Sequence, residues 1–440
     1  MDKSLRPLDV VALGFMTFAF FLGAGNMIFP PLAGFYAGDN LLPAIIGFLL
    51  TAVGLPLLGL LAIAKASGGL PTLGRFLPKK ASTLLGLTIY LILVPAFGIP
   101  RTALVAYEMA VVPFADSPGV ITLALFTLVY FSIALFFALQ EGKLIDNVGK
   151  IIAPILLLLL IIVGVGVLVA PQGEIGVAQV EYANTPFTKG VLDGYMTMDA
   201  LAALMFGLLI IHALRNKGVN SSSKQFKYLS IAGLIAGTGL ALVYIALFYL
   251  GATSHLVTPN PDNGGQIFTE YVAAIFGSAG QVVLAAVVSL ACLTTAIGGI
   301  SAFGEYINDL NPKLNYRWVV MTAASVCLVV ANIGLSELIS ISTPILMAVY
   351  PVAMALVLLT LVSDRLRNPQ LTYAVTLSVA LIFGVFDGIS TVGVDLAFLD
   401  VMPMFDEGLA WVLPTLIAFV VSACKPVSEL GGGVEVTKAS

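Results

Sequence analysis

From Asp9 to Cys424 the chain passes through twelve apolar stretches in succession, and a helix of about twenty apolar residues is what crosses the ~30 Å hydrocarbon core of a bilayer. No polar stretch between them exceeds about twenty residues, which leaves no room for a separate soluble domain of ~100 residues. The composition agrees. Hydrophobic residues make up 59% and charged residues 10% of the 440, against roughly 45–50% and about 25% in soluble domains. The expected fold class is therefore an all-α polytopic membrane protein embedded in the lipid bilayer. Net charge is −4 with no block of like charge, so a nucleic-acid partner has no electrostatic footprint.

The expected spans run over 9–36, 41–64, 82–112, 119–138, 147–170, 191–214, 227–252, 279–307, 317–332, 337–362, 370–388 and 408–424, the ninth and twelfth being the shortest. The first residues imitate a signal peptide, but the apolar run continues through Gly23 to Pro31 without an A-x-A site, so span 1 reads as a retained helix. Basic residues collect on the cytoplasmic side of membrane proteins. Eighteen of the twenty Lys and Arg fall at the amino terminus, in the loops after spans 2, 4, 6, 8 and 10, and in the carboxyl tail. Lys189 lies in an opposite-side loop and Arg101 within span 3. Both termini are thus expected in the cytoplasm.

Span 1 carries Gly23, Ala24, Gly25 and Asn26 deep inside its apolar run, about 20–24 Å from its start at 1.5 Å per residue. Unwound backbone at that depth is tolerated where it faces protein, a cavity or a ligand; a glycine-mediated helix contact is the alternative. Span 6 places Asp199 inside the membrane after Gly194-Tyr195-Met196-Thr197-Met198. A carboxyl there is a functional candidate, with a structural ion pair as the competing reading. Composition does not compel a break in span 6, since Gly194 and Gly207 lie to either side.

Spans 1 and 6 stand five helices apart, which suggests two five-helix halves, 9–170 and 191–362, followed by two further helices over 370–424. An odd repeat length inserts the second half upside down, and inverted repeats with discontinuous first helices mark secondary transporters that bind substrate at the midplane. Helix amino termini there attract a carboxylate, and exposed carbonyls attract an amine or a sodium ion. Span 8 contributes Ala291-Cys292-Leu293-Thr294-Thr295, whose hydroxyls suit a hard monovalent cation or, alternatively, bond back to their own helix. Span 3 holds Pro95, Gly98 and Pro100 before Arg101, so a kink is expected beside a charge about 28 Å along the helix from Ser82. Arg101 reads as an external gate or a contact to a substrate carboxylate, or else as an ion pair with Asp199 or Glu108 or a snorkel to the interface.

Cys292, Cys327 and Cys424 lie in apolar runs without C-x-x-C spacing, and His212 and His255 sit near helix ends or in a loop; they supply no metal, disulfide or nucleophile–base constellation. No Walker motif is present, and a channel would call for a polar ring.

At its most distinctive stretches the chain resembles the bacterial branched-chain amino acid carriers, the leucine/isoleucine/valine:cation symporters of BrnQ type. These are 12–18 with 23–26 and Phe29-Pro30-Pro31, then Thr51–Pro56, Pro100–Ala103, Gly194–Asp199 and Gly408–Trp411. That family is in turn similar to sodium-coupled amino acid transporters with a five-plus-five inverted-repeat fold. The resemblance implies import of leucine, isoleucine and valine with sodium across the bacterial cytoplasmic (inner) membrane, by alternating access, with no organic cofactor and no enzymatic activity; proton coupling is the alternative. It also implies site roles. Gly23, Ala24, Gly25 and Asn26 with Met196, Thr197, Met198, Asp199 and Ala202 would bind substrate, methionines suiting aliphatic side chains of varied shape. Ala19 and Leu22 carbonyls with Ala291, Thr294 and Thr295 would form one sodium site, and Asn26 with Thr197 another. The related transporters carry an arginine gate after the Gly-Asn element, whereas Met27, Ile28 and Phe29 stand here; Arg101 is the candidate replacement.

Overall fold

A computed structural model describes residues 4–66, 68–140, 150, 152–399, 401–405 and 407–424. Lys3, Lys143, Lys425 and Lys438, which entered the charge distribution, lie outside the described residues. The described residues form helices joined by short turns and contain no strand. Eight helical stretches are long and apolar enough to cross a membrane, and four shorter apolar helices complete the set.

Span 1 is two helices, Pro7–Phe21 and Ala24–Ala37. Span 6 is likewise two, Pro186–Tyr195 and Asp199–Asn216. The second break was not compelled by composition because it uses no glycine: Met198 takes the left-handed conformation, φ 65°, which costs a β-carbon-bearing residue about 1–3 kcal/mol and persists only where its surroundings enforce it. Span 6 also begins earlier than its apolar run. The break lies about 20 Å along span 6 from Pro186, and Gly23 lies about 24 Å along span 1 from Pro7, so each break falls near the middle of its span.

The other spans are Leu41–Leu49 with Leu55–Ala66, Lys79–Leu91 with Gly98–Ala110, Val120–Ala138, Ala153–Val169, Ser222–Ala252, Gly264–Leu310, Tyr316–Val330, Leu335–Val362, Pro369–Ser390 and Val412–Cys424. Span 3 bends where expected: Pro95 sits in a widened turn, Ile92–Ala96, and Phe97 leaves helical geometry at φ −138°. Span 8 begins earlier than expected, at Gly264, and is interrupted at Gly277, φ 63°. Its first part carries Gln266, Thr269 and Glu270, so it reads as polar loop although it is helical.

Spans 1 and 6 are packed in matching ways. Both parts of span 1 lie along span 7, and both parts of span 6 lie along span 2. Glycines permit the closest approaches: a β-carbon at Gly34 would strike the Phe248 carbonyl of span 7, and one at Gly190 would strike the Ala44 carbonyl of span 2. Span 3 runs along span 8, span 9 packs on spans 4 and 8, and span 11 lies between spans 10 and 12.

Ion pairs define the two ends of the bundle. At the lysine- and arginine-rich end, Lys65 meets Asp364 at 2.7 Å and Lys217 meets Asp9 at 3.1 Å. At the other end, Lys189 bridges Glu181 at 2.8 Å and Asp193 at 3.5 Å.

Candidate functional site

The break in span 1 frees backbone groups, and each can be followed to its partner. The Gly23 N–H turns to the Phe21 carbonyl at 2.7 Å and to Asn26 Oδ1 at 3.0 Å, so it no longer serves the Ala19 carbonyl one turn back. That carbonyl accepts instead from the hydroxyls of Thr294 at 3.2 Å and Thr295 at 3.4 Å. Thr295 Oγ1 also lies within reach of Phe20 O at 3.1 Å and Leu22 O at 3.4 Å, alternative acceptors for its one hydrogen. Both threonines reach the Ala291 carbonyl, at 2.8 Å and 3.2 Å. The expected cluster of Ala19, Leu22, Ala291, Thr294 and Thr295 is therefore brought together as carbonyl and hydroxyl oxygens, a neutral, hard donor set of the kind that broken helices offer a monovalent cation. Among the described residues no group of three or more His, Cys, Asp or Glu could hold a metal ion.

Span 6 resolves its break differently. Thr197 Oγ1 donates to Gly194 O at 2.9 Å, and the Met196 carbonyl accepts from Arg101 Nη1 at 2.8 Å. Asp199 opens the following helix, where a carboxylate suits the positive end of the helix dipole. Its Oδ2 takes Asn26 Nδ2 at 2.7 Å and the Tyr244 hydroxyl at 2.7 Å; Asn26 Nδ2 also meets Tyr244 Oη. Asn26 thus joins span 1 to spans 6 and 7, its oxygen capping its own helix and its amide holding Asp199.

The two breaks touch. A β-carbon at Gly25 would stand 2.9 Å from Thr197 Cα and 3.2 Å from Met196 O, and one at Gly23 would stand 3.2 Å from Thr295 Cγ2. Only glycine lets the unwound strands approach so closely.

Around this contact lies a cavity of about 40 Å³, room for about three waters. Gly23, Ala24, Gly25 and Asn26 line it from span 1, and Thr197, Met198, Asp199 and Ala202 from span 6. Thr295 closes the side toward the oxygen cluster and Arg101 stands in the wall. Met196 does not line it: its carbonyl holds Arg101, and its sulfur lies 3.9 Å from Thr343 Oγ1. Sequence reasoning missed the apolar wall, Phe20, Phe21, Leu93, Ile99, Met205 and Phe206, because such residues are indistinguishable from lipid-facing ones by composition. It also missed Tyr244, for which a signal existed: a tyrosine deep in an apolar span needs a partner for its hydroxyl.

Arg101 is 2% exposed. It holds the Met196 carbonyl and, through Nη2, Ser342 Oγ of span 10 at 3.0 Å, and its guanidinium lies 5.5 Å from the centre of the Phe29 ring. Neither Asp199 nor Glu108 is an ion-pair partner, and the side chain does not snorkel. Phe29 also lines a larger cavity of about 350 Å³ with Tyr36, Glu181, Tyr182, Lys189 and Asp193, so the Arg101–Phe29 contact stands between the two spaces.

A membrane bundle with two broken helices meeting around a small cavity that carries a few polar groups has the architecture of a secondary transporter. The fold is shared by solved transporters. Over 96% of this chain and 99% of the other, it superposes on MhsT, solved in complex with L-phenylalanine, with a TM-score of 0.58 at 13% identity. It superposes on the manganese transporter of Eremococcus coleocola with a TM-score of 0.58 at 12% identity, covering 96% of each chain. Residues 7–428 match the family described as branched-chain amino acid transport protein, and the chain belongs to that family. It is 46% identical to the branched-chain amino acid transport system 2 carrier protein of Pseudomonas aeruginosa over 95% of this chain and 96% of that one. It is 40% identical to the branched-chain amino acid permease BrnQ of Escherichia coli K12 over the whole of both chains. The protein is a multi-pass membrane transporter and not an enzyme.

Proposed function

We propose that the protein imports leucine, isoleucine and valine together with sodium across the bacterial cytoplasmic membrane, by alternating access between two faces of one central site. The single observation that carries this reading is the contact of the span 1 and span 6 breaks, Gly25 against Thr197, at the wall of a cavity edged by freed carbonyls and hydroxyls. The names of its relatives support the substrate class.

In this reading residues 9–170 and 191–362 are the inverted five-helix halves, 370–424 adds two helices, and both termini face the cytoplasm. Gly23 to Asn26 and Thr197 to Asp199, with Ala202, hold the amino acid, while Met196, which lies outside the cavity, positions Arg101 through its carbonyl. One sodium ion sits among Ala19, Leu22, Ala291, Thr294 and Thr295. A second would use Asn26 and Thr197, whose oxygens now serve Gly23 N–H and Gly194 O. Arg101 with Phe29 forms the gate on the side of the larger cavity. An Arg101→Ala carrier with wild-type transport and affinity would remove the gate. One observation favours a second reading, proton coupling: Asp199, a carboxyl in the cavity wall, is able to carry a proton.

Uptake of radiolabelled leucine by purified carrier in proteoliposomes tests the substrate reading. It should saturate and be competed by isoleucine and valine but not by lysine; uptake indifferent to isoleucine and valine would refute it.

A further inference from the structure

An arginine and an aspartate line the central cavity, and neither has an ionic partner. Arg101 is 2% exposed, with Nη1 and Nη2 on a carbonyl and a hydroxyl, both neutral, and its Nε–H has no partner at all. Asp199 is also 2% exposed, and its carboxyl takes the neutral donors of Asn26 and Tyr244. An isolated buried charge is strongly disfavoured unless something compensates it. These residues are on different spans, 3 and 6, yet wall the same space of about 40 Å³. Their side-chain hydrogen bonds go to other groups, and no direct ion pair joins them. The ligand that complements both at once, without adding net charge to a low-dielectric site, is a zwitterion.

We propose that Arg101 binds the α-carboxylate of the substrate and Asp199 its α-ammonium, so that the amino acid is read as a charge pair by two side chains rather than by helix ends alone. This rests on the amino acid reading above and deepens it. The guanidinium is suited to the role because two of its nitrogens are anchored on spans 6 and 10, leaving Nε–H aimed at no protein atom. Asn26 and Tyr244 orient the Asp199 carboxylate from spans 1 and 7. Once alternating access widens the space beyond the room for about three waters seen here, the aliphatic side chain falls against Phe21, Ile99, Met205 and Phe206. A leucine bridging Arg101 and Asp199 would tie spans 3 and 10 to spans 1, 6 and 7, which links occupancy of the site to the relative position of those helices.

Competition binding on purified carrier separates the two contacts. Leucine is compared with leucinamide, which lacks the anionic carboxylate, and with 2-hydroxy-4-methylpentanoate, which lacks the ammonium. Wild type should prefer leucine over each by about tenfold or more. Arg101→Gln should abolish the preference over leucinamide and keep that over the hydroxy acid, and Asp199→Asn should do the reverse. Arg101→Lys and Asp199→Glu, which keep the charges, should retain both preferences in part and serve if the neutral variants do not fold. Preferences that stay unchanged in the variants, or that collapse together in each, would overturn the assignment. Wild-type carrier that binds no branched-chain amino acid would instead refute the substrate reading itself.

Discussion

Tyr244 of span 7 donates to the carboxylate of Asp199 on span 6 at 2.7 Å, and the same carboxylate oxygen takes the Asn26 amide of span 1 at 2.7 Å. Three spans are thus fastened at one atom beside the cavity. Tyr244→Phe removes one donor from a buried acceptor, at a cost of about 1–3 kcal/mol. Leucine affinity is expected to fall by about tenfold, read by binding to purified carrier; a variant with wild-type affinity would detach Tyr244 from the site.

Gly25 is a steric key between the breaks. An alanine β-carbon there meets backbone at 2.9 Å, whereas one at Gly54 finds its nearest neighbour at 3.8 Å. Overpacking against backbone costs about 1–3 kcal/mol. Gly25→Ala should therefore lose leucine uptake while Gly54→Ala keeps most of it, measured in cells at matched membrane abundance. Equal uptake by the two variants would contradict the packing argument.

Thr294 and Thr295 give their hydroxyls to carbonyls that the span 1 break sets free. The double substitution Thr294→Ala with Thr295→Ala should raise the sodium concentration needed for half-maximal uptake far more than it lowers protein abundance. Sodium activation unchanged in proteoliposomes would remove these residues from the ion site.

His255 lies in the turn between spans 7 and 8, its ring 4.1 Å from that of Phe35 and its Nδ1 without a partner. Burial holds its pKa below the ordinary histidine value. The unfolded chain then binds the extra proton more readily than the folded one, so stability is lost as pH falls through the unfolded value near ~6.5. Melting in detergent should drop between pH of about 7.5 and about 5.5, and His255→Gln should flatten that slope; an unflattened slope would assign the pH response to other groups.

The spans were legible because bilayer thickness imposes a length on every apolar stretch, and the break in span 1 because Gly23, Gly25 and Asn26 stand where an uninterrupted helix has no use for them. The break in span 6 was not, since Met198 takes the left-handed conformation without a glycine to signal it, and the neighbours of the break, Gly25 beside Thr197 and Arg101 on the Met196 carbonyl, come from spans remote in sequence. The gathering of Ala19, Leu22, Ala291, Thr294 and Thr295 followed from a family resemblance and not from spacing. Leu93, Ile99 and Phe206 stayed hidden because a cavity wall and a lipid-facing surface draw on the same residue types. Arg101 was visible as a charge in an apolar span, but its neutral partners, Met196 O and Ser342 Oγ, come from spans remote in sequence.

The coupling claim is tested most directly by leucine accumulation in proteoliposomes bearing either an inward sodium gradient or an inward proton gradient, each imposed alone. Sodium alone should concentrate leucine inside, and collapse of the sodium gradient should release it. Accumulation driven by protons alone, or uptake indifferent to sodium, would contradict the account.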